Sequence, residues 1–294
     1  MTKISIIVLA YNHEKFISQN LKGILMQQVD ADVELIICDD QSADQTAAII
    51  KELCLDVPEN FAVKFFQHPK NIGATPNFYF ALDKVTGDYL AFCEGDDYWT
   101  DPQKLQLQLD LLDTNPDYSL CFHTAVNISE DPKINKTIFS KVEDREYSPV
   151  EIYKHWIVHT ATVMMRAEVL KSEAKKTILK ETNLQYFDTI LFLAASTIGK
   201  LRGIPRKMSA YRRHEAGLSA GKINSKRDLR HNNLDVIIGK YYGGEIKKLA
   251  DWKIFSRSNL NFINLIKENK IRSAFKFLPW LLRNRIIIYY YLKK

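Results

Sequence analysis

The stretch FCEGDDYW, from Phe92 to Trp99, sets three acids around one glycine: Glu94, Gly95, Asp96 and Asp97. The residues leading into it, YLAFC (Tyr89–Cys93), form an apolar run that reads as a buried strand. Carboxylates crowded in this way repel one another and resist ionisation without a counter-charge. A divalent cation supplies that charge. Oxygen ligands suit Mg2+ or Mn2+, which keep waters and bind through one or two carboxylates plus substrate phosphates. Gly95 lets the backbone approach a ligand closely. An Asp-Asp pair alone more often just solvates a loop; after a buried strand it is a candidate cation site. Two more polar clusters follow strand-like runs: Ala10-Tyr11-Asn12 after ISIIVLA, and Asp39-Asp40 after VELIIC.

The elements that must position these clusters alternate along the chain. Helical spacing of Phe16, Ile17, Leu21, Ile24 and Leu25 predicts a helix between His13 and Met26. Val33–Cys38 reads as a strand, Asp44 as the cap of a helix from Thr46 to Leu53, and Phe61–Gln67 as a third strand. A helix over Asn77–Val85 precedes the strand DYLAFC, and an amphipathic helix follows Asp101-Pro102 as far as Asp113. YSLCFHTAV and Thr160–Arg166 read as strands, residues 127–147 as an exposed excursion, and Tyr186–Ser196 as a helix. KLRGIP and KMSAYRRH read as a strand pair, and the pattern is helical and basic from Asn224 onward. Strands alternating with helices predict an α/β fold with a mostly parallel, Rossmann-like sheet and flanking helices. We divide it at 1–223, the sheet domain, and 224–294, a basic helical appendage. In such sheets ligands collect beyond the carboxyl ends of the strands. All three polar clusters lie at such ends, so they should converge on one site.

The blocks SIIVLAYN, VELIICDDQSADQT, NIGATPNF and GDYLAFCEGDDYW together resemble the family 2 glycosyltransferases of the GT-A fold. The resemblance is strong from Lys3 to Asp113 and weaker through YFDTILFLAASTIGKL and YRRHEAGLS. It implies inverting transfer of a sugar from a UDP- or dTDP-sugar donor to a saccharide or lipid-linked acceptor. The alternative is a catalytically silent nucleotide-sugar-binding protein of the same fold. Tyr11, with Ala10 and Asn12 beside it, matches the segment that flanks the nucleotide base. Asp40 matches the acid that accepts the pyrimidine imide N–H, a role that suits a group able only to accept. Asp96 and Asp97 match the metal motif for Mn2+ or Mg2+; the resemblance suggests Asp97 on the cation and Asp96 on the ribose or a metal-bound water. Glu94 stands where many members have a first acid. Asn71, Gly73 and Asn77 fall behind the sugar pocket, and Lys70 could replace a basic residue missing near Thr75. Asp188 matches the base that activates the acceptor, with Glu181 as competitor and a helix N-cap as the plain structural role for Asp188. His214 matches a residue of the segment that closes over the diphosphate, where imidazole can ligate Mn2+ and Arg212 or Arg213 can meet phosphate. Trp156, His159 and Thr160 fall on the acceptor wall; core packing is the other reading of Trp156.

Composition narrows the remaining classes. The 294 residues are 46% hydrophobic and 26% charged, as in a soluble globular chain. A formal net charge of +6 is too modest to imply a nucleic-acid partner. LAYNHEK has no glycine, which argues against a dinucleotide-binding first turn. Four cysteines without close pairing read as buried reduced thiols in a reducing, cytoplasmic setting. The first strand is too short and β-branched to serve as a signal peptide core. No apolar stretch reaches the roughly 20 residues of a spanning helix. The C-terminal segment mixes Phe275, Trp280, Leu282 and the Ile286–Tyr291 run with Lys276, Arg283 and Arg285. Such a segment can lie on an anionic bilayer, here the inner face of the cell membrane, or pack on the domain or a second subunit of a homo-oligomer.

Overall fold

Runs of β-branched residues build the centre of the structure, a computed structural model that describes residues 2–129, 137–171, 187–214, 217 and 225–283, with Phe187 by its backbone alone. Strands β1 (Lys3–Ala10), β2 (Asp32–Asp39) and β3 (Phe61–Gln67) pair in parallel, and β4 (Tyr89–Phe92) joins the other side of β1. Ile4, Ile6, Ile7 and Val8 of β1 are all buried. A near-continuous apolar run is what a parallel strand covered on both faces demands. The full sheet has the order β3-β2-β1-β4-β9-β6-β10-β5. Strand β9 (Met164–Arg166) runs antiparallel, inserted between β4 and β6 (Tyr118–Ser129). At the far side β10 (Lys200–Arg213) runs parallel to β6 and antiparallel to β5 (Tyr98–Trp99). The short strands β7 (Thr137–Ile138) and β8 (Glu146–Tyr147) pair with β6 and β10.

Strand order reverses at β1, because β2 and β3 lie on one side of it and β4 on the other. The crevice beyond the ends of β1 and β4 is therefore a topological switch point, where open α/β sheets bind ligands. Register brings the predicted clusters there: Ala10 pairs with Asp39, and Ile7 with Phe92.

Helices α1 (Ile17–Leu25), α2 (Thr46–Leu53), α3 (Ala74–Leu82) and α4 (Lys104–Thr114) follow the expected order. Ile17, Leu21 and Ile24 of α1 and Leu105, Leu109 and Leu112 of α4 enter one core with the strands. Each such side chain contributes roughly 1.5–3 kcal/mol by its burial. At the amino end of the sheet, Glu34 is fully buried. It accepts from Lys64 Nζ at 2.7 Å, Ser5 Oγ at 2.5 Å, and the Thr86 N–H and hydroxyl at 2.6 and 2.8 Å. Burial alone would raise its pKa, but these donors outweigh it and hold the carboxyl at about 2.

Three expectations change. The helix expected over Asn77–Val85 runs instead from Ala74 to Leu82, with Pro76 tolerated in its first turn. Thr160–Arg166 is not one strand: Thr160–Thr162 form a 3-10 turn capped by His159, and only Met164–Arg166 pair in the sheet. KLRGIP and KMSAYRRH are not a strand pair but one strand, β10. Its pairing with β6 shifts register between Ile204 and Lys207, around Pro205. A bulge absorbs the missing proline N–H, so the strand continues past the residue that reads as its end. The excursion at 127–147 contains the end of β6 with β7 and β8; residues 130–136 lie outside the described residues.

Contacts divide the chain into two units, Met1–Thr182 with Leu191–Ala220, and Asn183–Ile190 with Gly221–Lys294. Helix α5 (Pro149–Lys154) belongs to the first, and α6 (Phe187–Ala195) crosses the boundary. The second is built on a hairpin of α7 (Ser225–Tyr242) and α8 (Gly244–Lys267), turned by Gly243 and Gly244 at φ 61° and 49°. A polar seam joins these two helices: Asn232 donates to Ser258, Asn261 to Asp228, and Arg257 to Asn232 and Asp235. Leu260, Ile263, Ile266, Ile271, Phe275 and Leu282 are exposed. The Ile286–Tyr291 run, Arg285 and Glu181 lie outside the described residues.

Candidate active site

The site is built on the strand ends at the switch point. Asn12, in a left-handed conformation (φ 56°) that asparagine tolerates, links the ends of β1 and β2. Its N–H donates to Ser42 Oγ at 2.9 Å, and its Oδ1 accepts from Ala43 N–H at 2.9 Å. Tyr11 beside it is 47% exposed, free to lie against a planar ligand. Asp39 turns back to Ser42 and Gln67. Asp40, nearly buried, accepts from the Ile72 and Gly73 N–H groups at 2.7 and 2.8 Å. Gly73 has φ 92°, which a side chain would strain, so glycine lets this loop turn its amides onto Asp40. Asn71 is exposed on the same loop, and Asn77 is buried, bridging His68 and the Cys38 carbonyl.

The acid loop is held from three directions. Asn20 of α1, completely buried, reaches the Glu94 and Asp97 carbonyls from its Nδ2 at 2.8 and 2.9 Å. From β10, the Arg212 N–H donates to Asp97 Oδ1 at 2.7 Å, and its guanidinium donates to the Asp96 carbonyl at 2.9 Å and to Gln19 Oε1 at 2.7 Å. His159 Nε2 lies 3.3 Å from Asp97 Oδ2. Gly95 is required for close approach rather than for an unusual φ: a Cβ there would lie 2.7 Å from His13 Nδ1 and 3.0 Å from the Leu9 carbonyl.

The two aspartates differ. The Asp96 side chain keeps 21% of its exposure, with Oδ2 3.0 Å from His214 Nε2 and 4.0 Å from His13 Nε2. Burial works against its ionisation, but the His214 hydrogen bond and the charges of His13 and His214 win and hold its pKa below the usual range. Asp97 is almost wholly enclosed. Burial first, then the charges of Asp96 and Glu94, lift its pKa well above the usual range, against the Arg212 N–H. The loop is thus short of positive charge. Among the described residues no three His, Cys, Asp or Glu side chains form a ready cation cage. An ion of the Mg2+ or Mn2+ class still fits, since it needs only one or two carboxylates when phosphate and water oxygens complete the shell.

Most of the predicted residues come together here: Ala10, Tyr11, Asn12, Asp40, Gly73, Glu94, Gly95, Asp96, Asp97, Arg212 and His214. Arg212 serves the acid loop with its guanidinium as well as its backbone. His159 and Thr160 are buried, and His159 turns to Asp97. Trp156 is 57% exposed and meets Phe139 edge-on at 5.2 Å. Asp188 lies in the first turn of α6, inside the helix rather than before it, in the second unit. Burial raises its pKa, and its Oδ1 has no hydrogen-bond partner among the described residues. Sequence reasoning missed Asn20 and His13. Asn20 sits inside an amphipathic helix on the apolar face, and a polar residue in that position is the one signal that could have marked it.

The family model described as glycosyl transferase family 2 matches residues 5–173. An uncharacterised protein of Mycobacterium tuberculosis (strain ATCC 25618 / H37Rv) is 34% identical over 223 residues, covering 76% of this chain. This chain spans only 62% of that relative's length. The dTDP-rhamnosyl transferase RfbG of Shigella flexneri is 28% identical over 249 residues, 82% of each chain. Among solved structures, TarS 1–349 of S. aureus in complex with UDP-GlcNAc matches with a TM-score of 0.66 at 17% identity, over 96% of this chain and 79% of that one. That likeness is one of fold, and the mixed, mostly parallel sheet with flanking helices is the GT-A arrangement.

Proposed function

The chain belongs to glycosyl transferase family 2, and from that premise we propose that it moves a sugar from a UDP- or dTDP-sugar to a saccharide or lipid-linked hydroxyl, with inversion. The observation that carries this is the acid loop that follows β4 at the switch point, its three carboxylates on the same rim of the sheet as Asp40 at the end of β2, with β1 between them. Tyr11 offers its ring to the base, and Asp40 has lone pairs left to accept the imide N–H after binding Ile72 and Gly73. Asp96, Asp97 and His214 are the groups that would hold Mn2+ or Mg2+. When bound, such an ion neutralises the departing diphosphate. Asp188 takes the acceptor proton; burial moves its carboxyl toward the pH at which a general base works well. RfbG and the UDP-GlcNAc complex of TarS support a nucleotide-sugar donor.

Residues 1–223 would carry the donor chemistry and 224–294 the appendage. No helix among the described residues is long and apolar enough to cross a membrane. The exposed apolar residues of the appendage, interleaved with Lys267, Lys270, Arg272, Lys276 and Arg283, suit contact with an anionic bilayer at the cytoplasmic face, where a lipid-linked acceptor would lie.

The test is calorimetry of UDP and dTDP with and without Mn2+, followed by a transfer assay with the nucleotide sugars of whichever binds. Absence of manganese-assisted uptake of either nucleotide would overturn the proposal.

A further inference from the structure

Asp97 meets a partner at each oxygen: a hydrogen bond at one and an imidazole nitrogen at ion-pair distance from the other. Oδ1 accepts the Arg212 N–H at 2.7 Å. Oδ2 faces His159 Nε2 at 3.3 Å. The other ring nitrogen of His159 is already committed: the Ala161 N–H donates to Nδ1 at 3.3 Å, as the cap of the 160–162 turn. A nitrogen that accepts carries no proton, so a neutral ring here has its proton on Nε2, the nitrogen that lies 3.3 Å from Asp97 Oδ2. The ring cannot readily turn away. It packs against Tyr211 at 4.5 Å and Phe139 at 5.2 Å between centroids, with only 6% of the side chain exposed. The turn beneath it is fixed in its own right, since Trp99 Nε1 donates to the Ala161 carbonyl at 2.9 Å and Thr162 Oγ1 to the His159 carbonyl at 2.6 Å.

We propose that His159 is a positioning residue of the donor site: its Nε2–H, beside Asp97 Oδ2, holds that carboxylate in the rotamer from which it would bind the cation. The inference rests on the proposed function for the identity of the ligand, but not for the tautomer. It reassigns His159 from contact with the acceptor to support of the donor side. Groups that hold metal-binding carboxylates in place typically alter metal affinity by about 10- to 100-fold when removed.

The test uses the full chain with His159→Leu and His159→Gln. Glutamine keeps an N–H donor at nearly the position of Nε2; leucine fills the space without one. Calorimetry measures UDP and dTDP binding with and without Mn2+, and long-range proton–nitrogen spectra of the wild-type ring nitrogens identify the tautomer. The expected result is a loss of about 10-fold or more in manganese-assisted binding for His159→Leu. Metal-free nucleotide binding should be unchanged, and His159→Gln should recover most of the loss. Wild-type affinity in the leucine variant, an equal loss without metal, or a proton on Nδ1 would each overturn the proposal. No manganese-assisted binding by the wild type would instead overturn the proposed function, and the ring spectrum would still decide the tautomer.

Discussion

Lys104 is fully buried in the first unit without a counter-charge, and replacing it should make the protein more stable. Its side chain has no exposure at all. The ammonium stands 3.9 Å from the Trp99 ring centroid and donates to Gln108 Oε1 at 2.7 Å. Neither contact is a counter-charge. Burial drives its pKa down from 10.5 to about 7, slightly opposed by Cys93 and Cys121. The unfolded chain therefore holds a proton that the folded chain releases, and stability rises with pH between about 7 and 10.5. At neutral pH the penalty is roughly 4–5 kcal/mol. Lys104→Met keeps the length and removes the charge, but leaves Gln108 Oε1 without its donor, at a cost of about 1 kcal/mol. The variant should gain roughly 3–4 kcal/mol at neutral pH, or about 6–16 °C in Tm for a unit of this size. Urea denaturation of both proteins at neutral pH and again near pH 10.5 reads the difference directly. The gain should vanish at the higher pH. A variant less stable at neutral pH, or a difference that ignores pH, would refute the reasoning.

Glu34 has the opposite sign. Its folded pKa, about 2 against an ordinary 4.5, makes its contribution present above 4.5 and lost as pH falls toward 2. Glu34→Gln should therefore cost about 3 kcal/mol at neutral pH and little in strong acid, as measured by denaturation at both. Gly95→Ala drives a Cβ onto His13 Nδ1 and the Leu9 carbonyl, so manganese-assisted nucleotide binding should weaken by about 10-fold or more; unchanged binding would mean the loop can shift. Asp188→Asn should lower transfer by about 100- to 10,000-fold and leave calorimetric donor binding intact; an unchanged rate would mean the wrong base.

The first half of the fold was legible because local signals and tertiary demands agree there. β1, β2 and β3 are apolar runs ending in polar clusters, and parallel pairing turns those ends into one rim. The acids at 94–97 stood out as candidates because nothing in a buried strand calls for them. What was illegible depends on contacts far apart in the chain. Proline marks a strand end, so β10 reads as two strands until its bulge is visible. His159 reads as an acceptor-wall candidate, and only the 160–162 turn and the Asp97 contact turn it toward the acid loop. Asn20 carries no motif, and its role exists only through carbonyls more than seventy residues away.

That last property has a consequence for biosynthesis. Arg212 reaches Asp97 across 115 residues and Gln19 across 193. A nascent chain leaving the ribosome can close its early parallel strands at once, yet the proposed nucleotide cradle stays unlatched until β10 has been translated. Fragments that end at residue 173, where the family match ends, should be collapsed but unable to retain donor.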